Sequence, residues 1–161
     1  MNKSKFTFIL LAFSIILFSG CSTVPLEPKN ITESAKAFNR PPKGDAGLYI
    51  YRDSIFGAAL KKDIWVDNKC LGESATKVFF YRPVKANQEH VIATESEFSP
   101  NKLTLKTESG KNYFVRQYIK MGAFVGGANL EVVDSETAKK AISELDMAKN
   151  GICSKATPDK E

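Results

Sequence analysis

Short apolar runs separated by polar turns are the main pattern between residues 47 and 133. The runs are rich in aromatic and β-branched residues, which favour strands. They lie at 47–52, 63–66, 78–82, 90–94, 102–107, 112–119 and 129–133, with a return strand through Leu71 after a turn at 67–69. The pattern therefore predicts a mainly β protein, an antiparallel β-sandwich of about seven or eight short strands.

After the last of these runs the apolar spacing becomes that of a helix. One stripe is formed by Ala138, Ala141, Ile142, Leu145 and Ala148. Asp134 or Ser135 is the expected N-cap, and Gly151 stands where a C-terminal cap is expected. We therefore predict one C-terminal α-helix that packs on the sheet.

The first twenty residues have a different pattern. Lys3 and Lys5 precede an almost wholly apolar run at 6–18, and the small residues Ser19 and Gly20 follow it. The run is shorter than the roughly 20 apolar residues that a membrane-spanning helix needs. A basic start, a short apolar centre and a small-residue end are typical of a secretory signal peptide.

The residues around Cys21 resemble a bacterial lipobox, with Phe18 where that motif prefers Leu. The resemblance implies cleavage before Cys21, a diacylglycerol on its thiol and acylation of the new amino group. Ser22 resembles the residue of lipoproteins that are carried to the outer membrane. We therefore expect a lipid anchor in the cell outer membrane, with the protein facing the periplasm. The alternatives are an ordinary signal peptide with an incidental cysteine, or an uncleaved anchor.

These features divide the chain into four segments. They are a signal peptide at 1–20, a lipidated cysteine with a proline-rich tether at 21–42, the β-sandwich domain with its helix at 43–153, and a disordered tail at 154–161. The prolines of the tether favour extended backbone. A short helix at 32–38, capped by Thr32, is compatible with them. The tether lifts the domain from the membrane, or its C-terminal part packs on the domain through Phe38, and the two are compatible.

Composition and charge limit the partners. Hydrophobic residues make up 43% of the chain and charged residues 25%, which are values of a globular domain with a core. The formal net charge is +5, and Lys3 and Lys5 contribute two of these charges. The other lysines are scattered, so no nucleic-acid partner is predicted. The mild excess of positive charge favours anionic surfaces such as lipid headgroups or glycans.

The three cysteines suggest one disulfide. If Cys21 carries lipid, Cys70 and Cys153 remain in an oxidising compartment, and we predict that they are bonded. The alternative is two separate buried thiols.

Catalytic and metal-binding motifs give little support for an enzyme. The single histidine, His90, cannot form a multi-histidine metal site, and no nucleophile elbow or phosphate-binding loop is present. The carboxylates are most simply solvated turn and strand-edge residues. We therefore predict no catalytic residues, no metal site and no cofactor.

Some residues are candidates for binding. Strand alternation places Trp65 on the face opposite Ile64 and Val66, where it could stack on a sugar or anchor a partner. The favoured alternative is that Trp65 lies under the helix or the tether. Arg52 and Arg116, with Arg82, could form an anion site, or lie along aromatic faces.

Two apolar, glycine-rich loops at 54–60 and 121–128 carry Phe56 and Phe124. Loops are usually polar, so these either enter the core or form a contact patch.

Several motifs, in order, resemble one family of small bacterial lipoproteins, catalogued as a domain of unknown function (number twenty-eight forty-six). They are Pro41-Pro42-x-Gly44, Leu48-Tyr49-Ile50-Tyr51-Arg52, Val66-Asp67-Asn68-Lys69 with Leu71-Gly72-Glu73, Gly110-Lys111-x-Tyr113-Phe114-Val115-Arg116-Gln117, Met121-Gly122 and Leu130-Glu131-Val132-Val133. The resemblance spans about residues 40–148. It implies a compact β-rich domain and no known activity.

Together these observations predict a lipid-anchored, periplasm-facing protein with a non-enzymatic binding domain. Its expected partners are the membrane, through the lipid on Cys21, and an envelope protein, glycan or lipid ligand. The alternatives are a hydrolase of envelope polymers and a structural or stress-related lipoprotein without a dedicated ligand.

Overall fold

Nine strands and two helices make up the protein in a computed structural model that describes residues 23–158. In chain order they are α1 Lys29–Lys36, β1 Asp45–Arg52, β2 Lys62–Val66, β3 Lys69–Ser74, β4 Val78–Lys85, β5 Glu89–Thr94, β6 Asn101–Lys106, β7 Asn112–Lys120, β8 Gly127–Val133, α2 Ser135–Ser143 and β9 Asp146–Met147.

The strands form two sheets that face each other. One sheet has five strands in the order β8-β7-β1-β4-β9, and the other has four in the order β3-β2-β5-β6. The prediction of a mainly β, two-layer fold with one C-terminal helix is confirmed. The sheets are not wholly antiparallel, because β1 pairs with β7 and β4 with β9 in parallel. Sequence patterns locate strands but do not say which strands become neighbours.

The main core lies between the sheets, where alternate side chains of facing strands meet. On β4, for example, Val78, Phe80 and Val84 point into it. A second apolar layer covers the outer face of the five-stranded sheet. There, the aromatic rings of Tyr49 and Phe114 lie 5.2 Å apart beneath α1 and α2.

Helix α2 begins as predicted but ends early. The carboxylate of Asp134 accepts hydrogen bonds from the amides of Glu136 and Thr137 at 3.1 and 2.9 Å, which makes it the N-cap. The helix ends at Ser143, well before Gly151, because the following residues form β9 and pair with the edge of β4. Leu145, predicted on the helical stripe, is buried by this turn instead.

The segment before α1 packs on the domain from Val24 onward. Val24 is buried, and Leu26 forms a bridge with Ala148. The amide of Glu27 donates to the carbonyl of Met147 at 2.8 Å. Residues 23–42 therefore lie on the domain rather than apart from it, and the ring of Phe38 contributes by lying 5.3 Å from that of Tyr49. The signal peptide, Cys21 and Ser22 lie outside the described residues.

The predicted disulfide is present between Cys70 and Cys153, with a Cα–Cα distance of 6.0 Å. The prediction of a disordered tail from residue 154 is wrong for the residues that follow this disulfide. The amides of Ser154 and Lys155 donate to the buried carboxylate of Asp63 at 3.0 and 2.8 Å. These bonds fix the chain across the outer face of the four-stranded sheet. Residues 159–161 lie outside the described part of the chain.

Candidate functional site

The two apolar loops of the sequence meet at one end of the sandwich. They follow β1 and β7, which are parallel neighbours and so end on the same side of the sheet. Their contact is close: a β-carbon added at Gly57 would lie 2.9 Å from Ile119, and one added at Gly126 would lie 2.7 Å from Leu60. Phe56 and Phe124, distant in sequence, therefore belong to one surface.

This surface is strongly apolar and exposed. We call it the apolar loop patch, and it consists of Ile55, Phe56, Met121, Phe124 and Val125, whose exposed fractions are 74, 53, 82, 86 and 57%. Side chains of both loops surround a recess of about 320 Å³, with Leu60 and Ile119 among its lining residues. Neither loop enters the core, so the structure favours the contact-patch alternative for both.

Arg52 holds the first loop in place. Its side chain is fully buried, and its guanidinium donates to the carbonyls of Leu60 and Gly57 at 2.8 and 2.6 Å. Burial lowers the pKa of Arg52 from its ordinary value. Arg52 is therefore not accessible to a partner as predicted, because its side chain is buried and its two terminal nitrogens donate to backbone carbonyls.

Glu97 holds the second loop. Its carboxylate accepts hydrogen bonds from three consecutive amides: Ala123 at 2.6 Å, Phe124 at a shorter distance and Val125 at 3.1 Å. Desolvation raises the pKa of Glu97, but the hydrogen bonds from these amides outweigh it. The net pKa lies below its ordinary value of 4.5. The loop is thus held by a charged acceptor beneath its exposed apolar tip.

Arg116 is engaged in ion pairs. Its guanidinium donates to Asp53 at 2.8 Å and to Glu131 at 3.2 Å. The bond to Asp53 raises the pKa of Arg116, desolvation lowers it and the bond to Glu131 raises it, with a net increase. Because Asp53 begins the first loop, Arg116 supports the base of that loop.

The three arginines do not form one anion site. Arg82 pairs across the sheet with Leu48, four residues before Arg52 on β1. That separation is about 13 Å along a strand. Arg82 therefore lies away from both Arg52 and Arg116.

Of the two alternatives for Trp65, the structure shows a covered side chain. The side chain is 1% exposed, and its indole Nε1–H donates to the carbonyl of Lys155 at 3.1 Å. The C-terminal segment, and not the helix or the tether, covers this face of β2. Both faces of β2 are buried, so the alternation of its side chains does not mark an exposed face.

Two charged residues have anchoring roles that the sequence pattern does not predict. Asp63 anchors the C-terminal segment from a fully buried position, and Glu97 anchors the second loop. Their alternation with apolar residues gives no hint of this, because their partners are backbone amides far away in the chain. His90 is likewise buried, with Nδ1 2.7 Å from Asp67 and Nε2 2.7 Å from the carbonyl of Lys85.

Between residues 23 and 158 no three His, Cys, Asp or Glu side chains converge as metal ligands would. Over the same residues, neither helix has the length and apolar character to cross a membrane.

Comparisons with known proteins identify relatives but no activity. The sequence model of a family described as "Protein of unknown function (DUF2846)" matches residues 42–128. A Haemophilus influenzae protein named "Uncharacterized protein" is 60% identical over 133 residues, which cover 83% of this chain and 79% of the relative. The matched residues include β1, β4 and the two apolar loops. The chain belongs to the DUF2846 family.

Proposed function

We propose that this protein is a lipid-anchored envelope protein, attached to the outer membrane through Cys21, whose apolar loop patch binds an apolar segment of another envelope protein in the periplasm. One observation carries the proposal: the exposed apolar side chains of two separate loops converge around a single recess.

The patch is well suited to binding because its shape is fixed before a partner arrives. Arg52 and Glu97 hold the two loops through five hydrogen bonds between them. Fixing loops in advance lowers the entropy lost on association. A contiguous apolar surface rimmed by polar residues is typical of a protein contact site. Arg116 adds to this order by pairing with Asp53 at the base of the first loop.

The position of the patch favours a partner other than the anchoring membrane. The segment at Val24–Leu26 lies beside β9, at one edge of the five-stranded sheet, and β7 is three strands away. This is roughly 14 Å across the sheet. From Leu26 to Val24 the segment runs in the same direction as β4. It therefore leads away from Val78, which begins β4 and pairs with Arg52 at the end of β1 that carries the first loop. A short lipid anchor would leave the apolar loop patch free to face the periplasm.

The chemistry of the recess favours a protein over a glycan. Sugar-binding sites usually combine an aromatic face with hydrogen-bonding side chains. Here Lys120 is the charged side chain at the rim, and most other lining residues are apolar or glycine. An aliphatic or aromatic segment fits this lining better than a polyhydroxylated chain does.

Quantitative co-purification tests the proposal. The tagged, lipidated protein is isolated from detergent-solubilised envelopes, and the proteins recovered with it are compared between wild type and Phe124→Ser. We expect a specific envelope protein to be depleted at least about 10-fold by the substitution, as for an interface anchor worth about 1.4 kcal/mol or more.

Val132→Ser is the matched control. Val132 is 55% exposed and lies on β8, near the end opposite the loop. Its substitution should leave the recovery unchanged. Equal recovery of every envelope protein with wild type and Phe124→Ser would contradict the proposal, and depletion of a glycan instead of a protein would reject the protein partner.

A further inference from the structure

We propose a second binding site: a cationic recess at the open edge between the sheets that binds the phosphate of an anionic lipid headgroup through Arg82, assisted by Lys69. It lies apart from the apolar loop patch and uses none of its residues.

Arg82 stands in an unusual position for a charged residue. On β4 it shares the inward face with Val78, Phe80 and Val84, all of which belong to the inter-sheet core. Arg82 is half-buried there, and among residues 23–158 its guanidinium makes no hydrogen bond or ion pair. An arginine held at a core edge without an acceptor has donors available for a ligand.

The surrounding recess has a surplus of positive charge. It measures about 160 Å³, and Lys69, Arg82, Lys85 and Asp67 are its charged lining residues. Lys85 is paired with Asp45 at 2.8 Å. Within the described part of the chain, Lys69 and Arg82 have no carboxylate partner. Two cations are therefore available to one ligand.

The carboxylate of Asp67 is occupied. It lies 2.7 Å from Nδ1 of His90 and accepts a hydrogen bond from the amide of Val91 at 3.0 Å. Nε2 of His90 meets the carbonyl of Lys85 at 2.7 Å, so the buried ring joins the β2–β3 turn to the end of β4. This fixes the two sides of the recess that carry Lys69 and Arg82.

A phosphate fits this arrangement best. The planar guanidinium donates two parallel hydrogen bonds to phosphate oxygens, and a neighbouring ammonium adds a point charge. Gln88, another lining residue, offers an amide donor on the same recess.

The position of the recess indicates that the phosphate belongs to a membrane lipid. This inference rests on the proposed lipid anchor. The segment from Glu27 to Val24 runs along the sheet edge from the level of Phe79 toward that of Arg82. Only residues 22 and 23 separate Val24 from Cys21. Three Cα–Cα steps span at most about 11 Å. An anchor at Cys21 would therefore hold this side of the domain at the headgroup layer.

Side-chain NMR of the full mature protein in nonionic detergent tests the site. The Nε–H resonance of Arg82, assigned by its loss in Arg82→Gln, is followed during titration with glycerophosphoglycerol, the deacylated headgroup of phosphatidylglycerol. Inorganic phosphate is titrated in parallel, and chloride at equal ionic strength is the reference. Since neither probe inserts into a membrane, the measurement does not depend on anchoring or on the apolar loop patch.

We expect a saturable shift with glycerophosphoglycerol in the wild-type protein and an affinity weakened at least about 10-fold by Lys69→Gln, which keeps the Arg82 resonance. Lys69 is exposed at the start of β3, so Lys69→Gln tests the site without the loss of a half-buried side chain. Arg40→Gln, which removes the same charge from an exposed position, should have no effect. A shift with inorganic phosphate alone would overturn the lipid source. Absence of a saturable shift with both probes, or equal weakening by Arg40→Gln, would overturn the site.

Discussion

At Arg52 and Glu97, charged side chains order loops that are otherwise apolar. Each makes hydrogen bonds to backbone groups of a loop, Arg52 to carbonyls and Glu97 to amides. The exposed residues Phe56 and Phe124 depend on them, because an apolar tip at the surface gains little by packing on its own loop. Arg52 and Glu97 are therefore the positioning residues of the apolar loop patch.

Glu97→Gln should loosen the second loop without unfolding the domain. A neutral amide is a weaker acceptor than a carboxylate for amide donors. We expect faster hydrogen exchange at the amides of residues 123–125, with little change in the core strands. Glu89→Gln is the matched control, since Glu89 is an exposed carboxylate on β5. Unchanged exchange at 123–125 would show that Glu97 does not hold the loop.

The same contact should make the loop sensitive to acid. Since the pKa of Glu97 is lowered in the folded protein, its stabilising contribution is fully present above its ordinary value of 4.5. It is lost as the pH falls through the lowered folded pKa. We expect exchange at residues 123–125, corrected for intrinsic rates, to increase over that acidic range in wild type and to depend less on pH in Glu97→Gln. An equal dependence in both proteins would contradict this assignment.

At the scale of elements, the segment after β9 binds the two sheets together. It leaves the edge of the five-stranded sheet, where the amide of Ala148 donates to Phe79, and reaches β3, where Gly151 donates to Leu71. The Cys70–Cys153 disulfide then fixes it, and the residues beyond cover Trp65. The disulfide and the hydrogen bonds to Asp63 together hold the segment that buries this tryptophan.

The double variant Cys70→Ser/Cys153→Ser should lower the free energy of unfolding by roughly 4 kcal/mol in the chain-entropy model, because the disulfide closes a long loop. Denaturant titration measures this loss. Trp65 is the single tryptophan, so its fluorescence reports the covering segment separately. We expect a red shift at low denaturant in the variant and in reduced wild type. Unfolding that matches the oxidised wild type would show that the bond adds no stability.

Particular elements show which parts of the fold the sequence predicts. Local signals work well: the turn at Asp67 and Asn68, both with positive φ, joins two strands where it was expected. Pairing in space is not local. The parallel contact of β1 with β7, which brings the two apolar loops together, has no signature in either strand. The early end of α2 has no local signal either, because the residues that follow it pair with the edge of β4.

At the scale of the whole molecule, the two proposed sites lie at different places on the sandwich. The apolar loop patch lies beyond the ends of β1 and β7, whereas the cationic recess lies near the end of β4, which runs in the opposite direction. With an anchor at Cys21, the recess would meet headgroups and the apolar loop patch would meet the periplasm. This separation would let one domain bind both without competition.

Cys21→Ala should release the protein from membranes, because the proposed lipid is attached to that thiol and stable anchoring needs more than one acyl chain. Fractionation of cell envelopes, with intact-mass measurement of the wild-type protein, checks this. Ser22→Ala keeps the cysteine and serves as the control, which should remain in the membrane fraction. A wild-type mass without acyl chains would reject the anchor.

Photo-crosslinking in living cells shows whether the apolar loop patch binds a specific envelope protein. A photoreactive amino acid is placed at position 124 in the loop or at position 132 on β8, both exposed in the protein. We expect one discrete crosslinked protein from position 124, none from position 132, and loss of the product when Phe56→Ser is added. The same product from both positions, or no product from position 124, would contradict the proposal.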